Sequence, residues 1–151
     1  MSAVSPTHPS SEYPITHWST AQLHSALHHG DITIWRMIIM RVKHDPYGRT
    51  AHQVEEILHT IPSTGIAKVL RDVLVKSRDH LHARERAEVA RYIRTLMNCS
   101  TLTPREFSSR IGVKLDELND YLNGTISPPA SLIIRMRRVV DRFPKSDPSK
   151  S

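Results

Sequence analysis

Cysteine is almost absent from this 151-residue chain, in which Cys99 stands alone. A single thiol cannot form an intramolecular disulfide, so the class of small disulfide-stabilised secreted domains is excluded. Glycine is scarce, with 5 residues, and aromatic residues make up only 5%. No apolar run reaches the ~18 residues of a membrane span, and no apolar signal region follows Met1. Without a disulfide, a membrane span or a signal region, the protein is expected in the cytoplasm. Because alternating strand-forming residues are also missing, the sequence predicts an all-α fold.

Positive charge is concentrated in the second half of the chain. Residues 1–81 hold 8 Lys and Arg against 7 Asp and Glu, whereas residues 82–151 hold 13 against 8, a net charge of +5. Such a segment favours a polyanion such as nucleic acid, because phosphate contacts supply most of the sequence-independent affinity. A basic surface without any partner fits the charge equally well, so the choice depends on motifs.

The composition divides the chain into four ranges. Residues 1–17 are rich in Ser, Pro and Thr and are predicted to be a disordered tail, as are residues 144–151. Between the tails we expect a small helical N-terminal region, 18–82, and a second helical domain, 83–143. Apolar spacing predicts eight helical segments, at about 20–29, 33–44, 51–60, 65–81, 84–98, 104–111, 115–122 and 128–143. Residues 80–83 contain neither Gly nor Pro, so the fourth and fifth segments form either one continuous helix or two.

Four helix starts carry capping signals, and the first of them is Ser19 or Thr20 before the segment 20–29. Thr50, with Gln53 three residues later, is expected to cap the third segment, and Thr103-Pro104-Arg105-Glu106 reads as a capping box with Pro at the first helical position. Ser127-Pro128 is expected to cap the last segment.

Residues 102–124, LTPREFSSRIGVKLDELNDYLNG, have the form of a helix-turn-helix. Gly112 suits a tight turn that other residues resist. The inward-facing positions are apolar in both helices and in the turn, namely Phe107, Ile111, Val113, Leu118 and Leu122. The remaining positions of the second helix point outward, where a DNA groove would lie.

This segment resembles the lambda-repressor-like, Cro-type helix-turn-helix family, also called the XRE family. The matching positions are Leu102-Thr103, Phe107, Ile111-Gly112-Val113, Leu118, Tyr121-Leu122-Asn123-Gly124 and Pro128. The resemblance implies a five-helix domain over residues 83–143, in which the segment 84–98 is the first helix. It also implies a DNA-binding transcriptional regulator that has duplex DNA as its partner and no enzymatic activity.

The resemblance implies that the second motif helix enters the major groove. Its base-facing candidates are Leu115, Asp116, Asn119 and Asp120, with Asn123 near the DNA backbone at the helix end. Phosphate contacts are expected from Arg105, Arg110 and Lys114, with help from Arg135, Arg137 or Arg138.

The sequence departs from the family where the helix would meet DNA. Lys114 replaces the usual Ser cap, Pro104 replaces a frequent Gln, and the second helix carries three acidic residues, Asp116, Glu117 and Asp120. Carboxylates facing a polyanion are unfavourable unless they pair with cations or accept from cytosine amino groups. Two alternatives follow: a DNA reader in which Asn119 contacts an adenine edge, and a degenerate, antitoxin-like motif that binds protein.

The N-terminal region has a separate apolar pattern. Trp35, Ile38, Ile39 and Val42 follow helical spacing, and Ile66 to Leu74 form a second stripe. The region is either a helical packing domain or a surface for dimerisation or for a protein partner. Since useful DNA specificity usually needs two half-sites, we expect a homodimer, with residues 35–42 or 66–74 contributing.

The ten histidines do not form a persuasive metal motif. His24 and His28 are four residues apart, and His80 and His82 form a second pair. Neither pair has a Cys or carboxylate placed to complete a ligand set, so solvated helix surface is the expected role. No Gly-rich phosphate loop occurs, and we expect no cofactor and no metal.

Overall fold

The computed structural model describes residues 14–146, and this part of the chain is all-α. A 3-10 helix, Ile15–His17, precedes seven α-helices: α1 Thr20–His29, α2 Ile32–His44, α3 Arg49–Leu58, α4 Ile66–Asn98, α5 Pro104–Ile111, α6 Leu115–Leu122 and α7 Ala130–Arg142. Residues 14–146 contain no strand, only an isolated antiparallel bridge between Ser100 and Pro144. The chain divides into two compact units, Met1–Leu81 (unit 1) and His82–Ser151 (unit 2). Among the described helices, none combines the length and the apolar character that crossing a bilayer requires.

The fourth and fifth predicted segments are one helix, α4. Residues 66–98 contain no Gly or Pro, so every residue can keep its helical backbone hydrogen bond. The division between the units falls inside this helix. The described part of unit 2 has four helical segments, the C-terminal part of α4 with α5, α6 and α7, whereas the resemblance implied five.

Unit 1 has its own apolar core, built from both N-terminal stripes. Its fully buried side chains include Leu23 of α1, Ile38 and Val42 of α2, Val54 of α3 and Leu70 of α4. The core encloses part of each stripe, whereas Val69 of the second stripe is 46% exposed, so the dimer surface expected at residues 35–42 or 66–74 stays a prediction.

The last residues of the predicted N-terminal tail, 1–17, are folded. Ile15–His17 form the 3-10 helix, and the side chains of Ile15 and Trp18 are buried in the core of unit 1. The buried Gln53 amide donates to the Trp18 carbonyl at 2.9 Å, which fixes this segment on α3. Apolar burial thus orders residues that composition alone assigned to a tail, whereas residues 1–13 of that prediction lie outside the described range.

The first residues of the predicted C-terminal tail, 144–151, make backbone contacts within unit 2. The backbone N–H of Lys145 donates to the Cys99 carbonyl at 2.9 Å, next to the Ser100–Pro144 bridge. Residues 147–151 of the predicted tail lie outside the described range.

Two of the predicted helix caps are wrong. α3 begins at Arg49 with Gly48 as its N-cap, and Thr50 is buried inside the helix. α7 begins at Ala130 with Pro129 as N-cap, two residues after the predicted Ser127-Pro128 start. By contrast, Ser19 and Gln22 form the capping box of α1, with hydrogen bonds of 3.1 and 2.8 Å.

Arg78 ties the loop between α2 and α3 to α4 within unit 1. Its Nε donates to the Pro46 carbonyl at 3.0 Å, and its guanidinium lies 4.7 Å from the Tyr47 ring centroid. Its Nη1 donates to the Glu55 carboxylate of α3. One side chain therefore joins three parts of the unit. Elsewhere in unit 1, the indole Nε1 of Trp35 donates to the Ala26 carbonyl at 3.2 Å.

Candidate nucleic-acid interface

The helix-turn-helix pair of unit 2 begins with a side-chain cap on α5. The Thr103 hydroxyl accepts from the Glu106 N–H at 3.2 Å, and Pro104 occupies the first helical position. The reciprocal bond from the Glu106 side chain, which a full capping box requires, does not occur in the described structure. Half of the predicted box is therefore present, and it satisfies one of the free N–H groups at the start of the helix.

The turn between the two helices is closed by Gly112. Gly112 has φ 80° and ψ 30°, the left-handed conformation that favours glycine. The N–H of Val113 donates to the Ser108 carbonyl at 3.0 Å and that of Gly112 to the Ser109 carbonyl at 3.2 Å, the paired bonds of a Schellman motif. This motif ends α5 abruptly, so that the chain can turn into α6 within three residues.

Arg135 of α7 completes the end of α5. Its Nη1 donates to the Ile111 carbonyl at 2.7 Å, which would otherwise lack a helical partner. The predicted phosphate-binding role of Arg135 therefore competes with a structural role, because this guanidinium is already held against the protein backbone.

α6 begins without a side-chain cap. Lys114 is its N-cap residue, and no side-chain hydrogen bond caps the helix there. Asp116 and Glu117 lie in the first turn, where carboxylates interact favourably with the positive end of the helix dipole. Two of the three acidic residues that disagree with the family pattern thus have a local stabilising role.

The C-terminal end of α6 is held by two arginines from α4. Arg94 donates to the Leu122 carbonyl, and the Nε of Arg86 donates to the Gly124 carbonyl at 3.1 Å. Neither residue was predicted as part of the motif. Both were counted in the net positive charge of residues 82–151. In the structure each guanidinium is instead held by a backbone carbonyl of its own unit. The only sequence signal for this role was the general need of helix ends for donors.

The inner face of the pair is apolar and well packed. Phe107, Ile111 and Leu118 are fully buried, together with Ile93 of α4 and Met136 of α7. Leu115 is half-buried and packs against this cluster. Leu115 was predicted to face bases, and its side chain is divided between the apolar cluster and solvent.

The outer face of α6 is polar. Asp116, Asn119 and Asn123 are exposed, as predicted for side chains that would meet a groove. Asp120 is half-buried, and its carbonyl accepts from the N–H groups of Thr125 and Ile126, at 3.1 and 3.4 Å. Glu117 is exposed as well, so α6 and its C-cap present two amides, Asn119 and Asn123, and two carboxylates, Asp116 and Glu117, to solvent.

The expected phosphate contacts differ in how free their charges are. Arg105 and Lys114 are exposed on α5 and at the start of α6. Arg110 is also exposed, but its guanidinium lies 4.5 Å from the Phe143 ring centroid, a cation–π distance. Arg137 and Arg138 are exposed on α7. The least constrained candidate cations of the motif itself are consequently Arg105 and Lys114.

The acidic side chains of α6 have no partner within residues 14–146. Neither Asp116, Glu117 nor Asp120 forms an ion pair there, since both ion pairs of the described chain belong to unit 1. Arginines of unit 2 that could have compensated these carboxylates bind backbone carbonyls instead. The electrostatic field at the outer face of α6 is therefore mixed, with cations at its start and uncompensated carboxylates along its length.

The described residues contain no group of three or more His, Cys, Asp or Glu placed to hold a metal ion. The rings of His24 and His28 on α1 contact each other at a tilt of 47°, with centroids 4.6 Å apart.

Comparisons of the chain with protein-family models, with curated proteins and with solved structures found no match.

Proposed function

We propose that this protein is a sequence-specific, DNA-binding transcriptional regulator whose helix-turn-helix consists of α5 and α6. One observation carries the proposal. A Schellman turn at Gly112 joins two short helices whose apolar faces share one core, while the outer face of α6 leaves Asn119 and Asn123 in solvent. This arrangement is the one that places a recognition helix in the major groove. Amide side chains can accept and donate to an adenine edge, and exposed cations beside them can bind phosphates.

In this function the protein acts in the cytoplasm as a homodimer on duplex DNA and has no enzymatic role. The lambda-repressor-like family remains the resemblance that suggests the fold of unit 2, with four helices in place of five. Unit 1 has its own core and offers a second surface, to which a protein partner could bind.

The test is the salt dependence of binding to duplex DNA. If phosphate contacts contribute, log K should fall linearly with log salt, and Arg105→Ala or Lys114→Ala should each reduce the slope by about one unit. Arg91→Ala is the matched control, because Arg91 is an exposed arginine of α4 outside the motif. Its loss should leave the slope unchanged. Binding that is indifferent to salt, or a control that changes the slope as much as Arg105→Ala, would refute the proposed interface.

A second candidate function is a protein-interaction module of antitoxin type with a degenerate helix-turn-helix. The observation that favours it is the set of uncompensated carboxylates on α6, Asp116, Glu117 and Asp120. Against DNA these charges are repulsive, whereas against a basic protein surface they are attractive. The two candidates therefore differ in the sign of charge that the outer face of α6 should bind.

A further inference from the structure

A shallow apolar groove lies along unit 2 between α4 and α7. Val89 and Tyr92 of α4 and Ile133 of α7 provide its apolar surface, and Glu85 and Glu88 lie at its edge. The groove has a volume of about 610 Å³, and the Tyr92 side chain is 43% exposed. Removing an aromatic ring and the aliphatic side chains beside it from water lowers the free energy, so this surface favours contact with another apolar surface.

A matching surface lies beside the groove on α7. Ile134 is 51% exposed, and Arg137, which is also exposed, follows three residues later and therefore on the same helix face. Arg137 forms no ion pair within residues 14–146, and neither do Glu85 and Glu88. Unit 2 thus carries an apolar groove that two glutamates help to line and, next to Ile133 on the exposed side of α7, a ridge formed by Ile134 and Arg137.

We propose that a second copy of this chain occupies the groove. The partner copy places Ile134 between Tyr92 and Ile133, and it brings Arg137 next to Glu85 and Glu88. Since groove and ridge are neighbours on one surface, a two-fold axis between them forms both contacts twice, which is the requirement of an isologous dimer. Tyr and Arg are also among the residues that contribute most at interface centres. The proposal rests on the proposed function in that a DNA-binding regulator of this kind uses a dimer to read two half-sites.

The position of the groove is compatible with a free outer face on α6. With about 100° per residue, Glu85, Glu88 and Tyr92 lie on one flank of α4. Arg94, which binds the Leu122 carbonyl at the end of α6, lies on the opposite flank, and Arg86, which binds the Gly124 carbonyl, lies between the two flanks. A partner in the groove therefore contacts the side of α4 that faces away from the end of α6.

The experiment is sedimentation equilibrium of the full chain without DNA. Ile134→Asp should raise the dimer dissociation constant by about 30-fold or more, as truncation of a central interface residue does. Ile126→Asp is the matched control, because Ile126 is equally exposed, at 51%, but does not line the groove. It should leave the constant unchanged. Arg137→Glu should weaken the dimer, and adding Glu85→Arg with Glu88→Arg should restore it, because the exchanged charges attract again. Circular dichroism of each variant verifies that the helices are intact.

Three outcomes would overturn the interface: a wild-type monomer at tens of micromolar, a dimer indifferent to Ile134→Asp, or an equal loss with Ile126→Asp. Since the measurement uses the free chain, these outcomes are distinct from failure of DNA binding, which the salt titration judges separately.

Discussion

Replacing Gly112 by alanine tests whether the turn of the helix-turn-helix depends on backbone conformation alone. An alanine Cβ at this position would meet only the Nη1 of Arg135, at 3.7 Å, which is an ordinary contact. The remaining cost is the left-handed conformation, about 1–2 kcal/mol for a residue with a Cβ. Alanine also restricts the unfolded chain, which returns about 0.4–1 kcal/mol. We therefore expect Gly112→Ala to lower the free energy of unfolding of unit 2 by about 1 kcal/mol.

Two further variants separate conformation from packing. Gly65 of unit 1 has a φ of 56°, and a Cβ there would meet nothing within 4 Å. Gly65→Ala should therefore cost unit 1 the same ~1 kcal/mol. Gly112→Asn should cost less than Gly112→Ala, because asparagine tolerates the left-handed region.

The assay is thermal unfolding followed by helical circular dichroism. A loss of 1 kcal/mol shifts the midpoint of a 60–100-residue unit by roughly 4–8 °C. Below that midpoint the salt dependence of DNA binding should match the wild type, since no outer-face side chain has changed. The reasoning would be refuted if Gly112→Ala left the midpoint in place. It would also be refuted by a cost above ~3 kcal/mol with Gly65→Ala near 1, since that would require a steric clash which the geometry excludes.

Further substitutions address the acidic helix α6 and the Arg78–Glu55 ion pair of unit 1. If α6 reads bases, Asp116→Asn with Asp120→Asn should change the sequence selected from random duplexes, at about 1–3 kcal/mol per affected base pair. Uniformly tighter binding with an unchanged motif would instead favour the protein-interaction candidate. Arg78→Met should destabilise unit 1 by about 1–3 kcal/mol in urea unfolding, because the Glu55 carboxylate and the Pro46 carbonyl lose their donor. Arg78→Lys should recover only part of this, since an ammonium lacks the guanidinium fork, and full recovery would contradict the contacts described.

Helix positions and faces followed closely from the sequence. Apolar spacing predicted α1, α5 and α6 at their observed bounds, because each has apolar residues at helical spacing and a clear stop residue after them. Gly112 was predicted as the turn for the same local reason. These features depend on a few neighbouring residues, which is why sequence analysis can find them.

Features that depend on distant residues were missed. Gln53 was interpreted as part of a local cap with Thr50, whereas it is buried and bonds to Trp18, 35 residues away. Arg86 and Arg94 were interpreted only as charge, whereas they bind carbonyls 38 and 28 residues away. Spacing along one helix contains no information on which distant carbonyl needs a donor.

The candidate interface shows the same division. The family resemblance implied that Asp116, Asn119 and Asn123 face outward, and they are exposed. The resemblance implied the same of Leu115, yet it packs against the core, because its place at the first turn of α6 lies over the cluster around Phe107. Family alignment assigns positions, but burial decides which of them remain accessible.

The placement of the two tryptophans gives the protein a built-in optical label for one unit. The chain contains 2 Trp, the buried Trp18 and the hydrogen-bonded Trp35, and both belong to unit 1. Tryptophan emission therefore reports the environment of unit 1, whereas helical dichroism reports both units. Melting curves recorded by the two signals on the same sample should coincide if the units unfold together and separate if unit 2 melts independently. If the units melt independently, a Gly112 variant would shift the dichroism curve and leave the emission curve in place. This difference would assign the perturbation to unit 2 without any added dye.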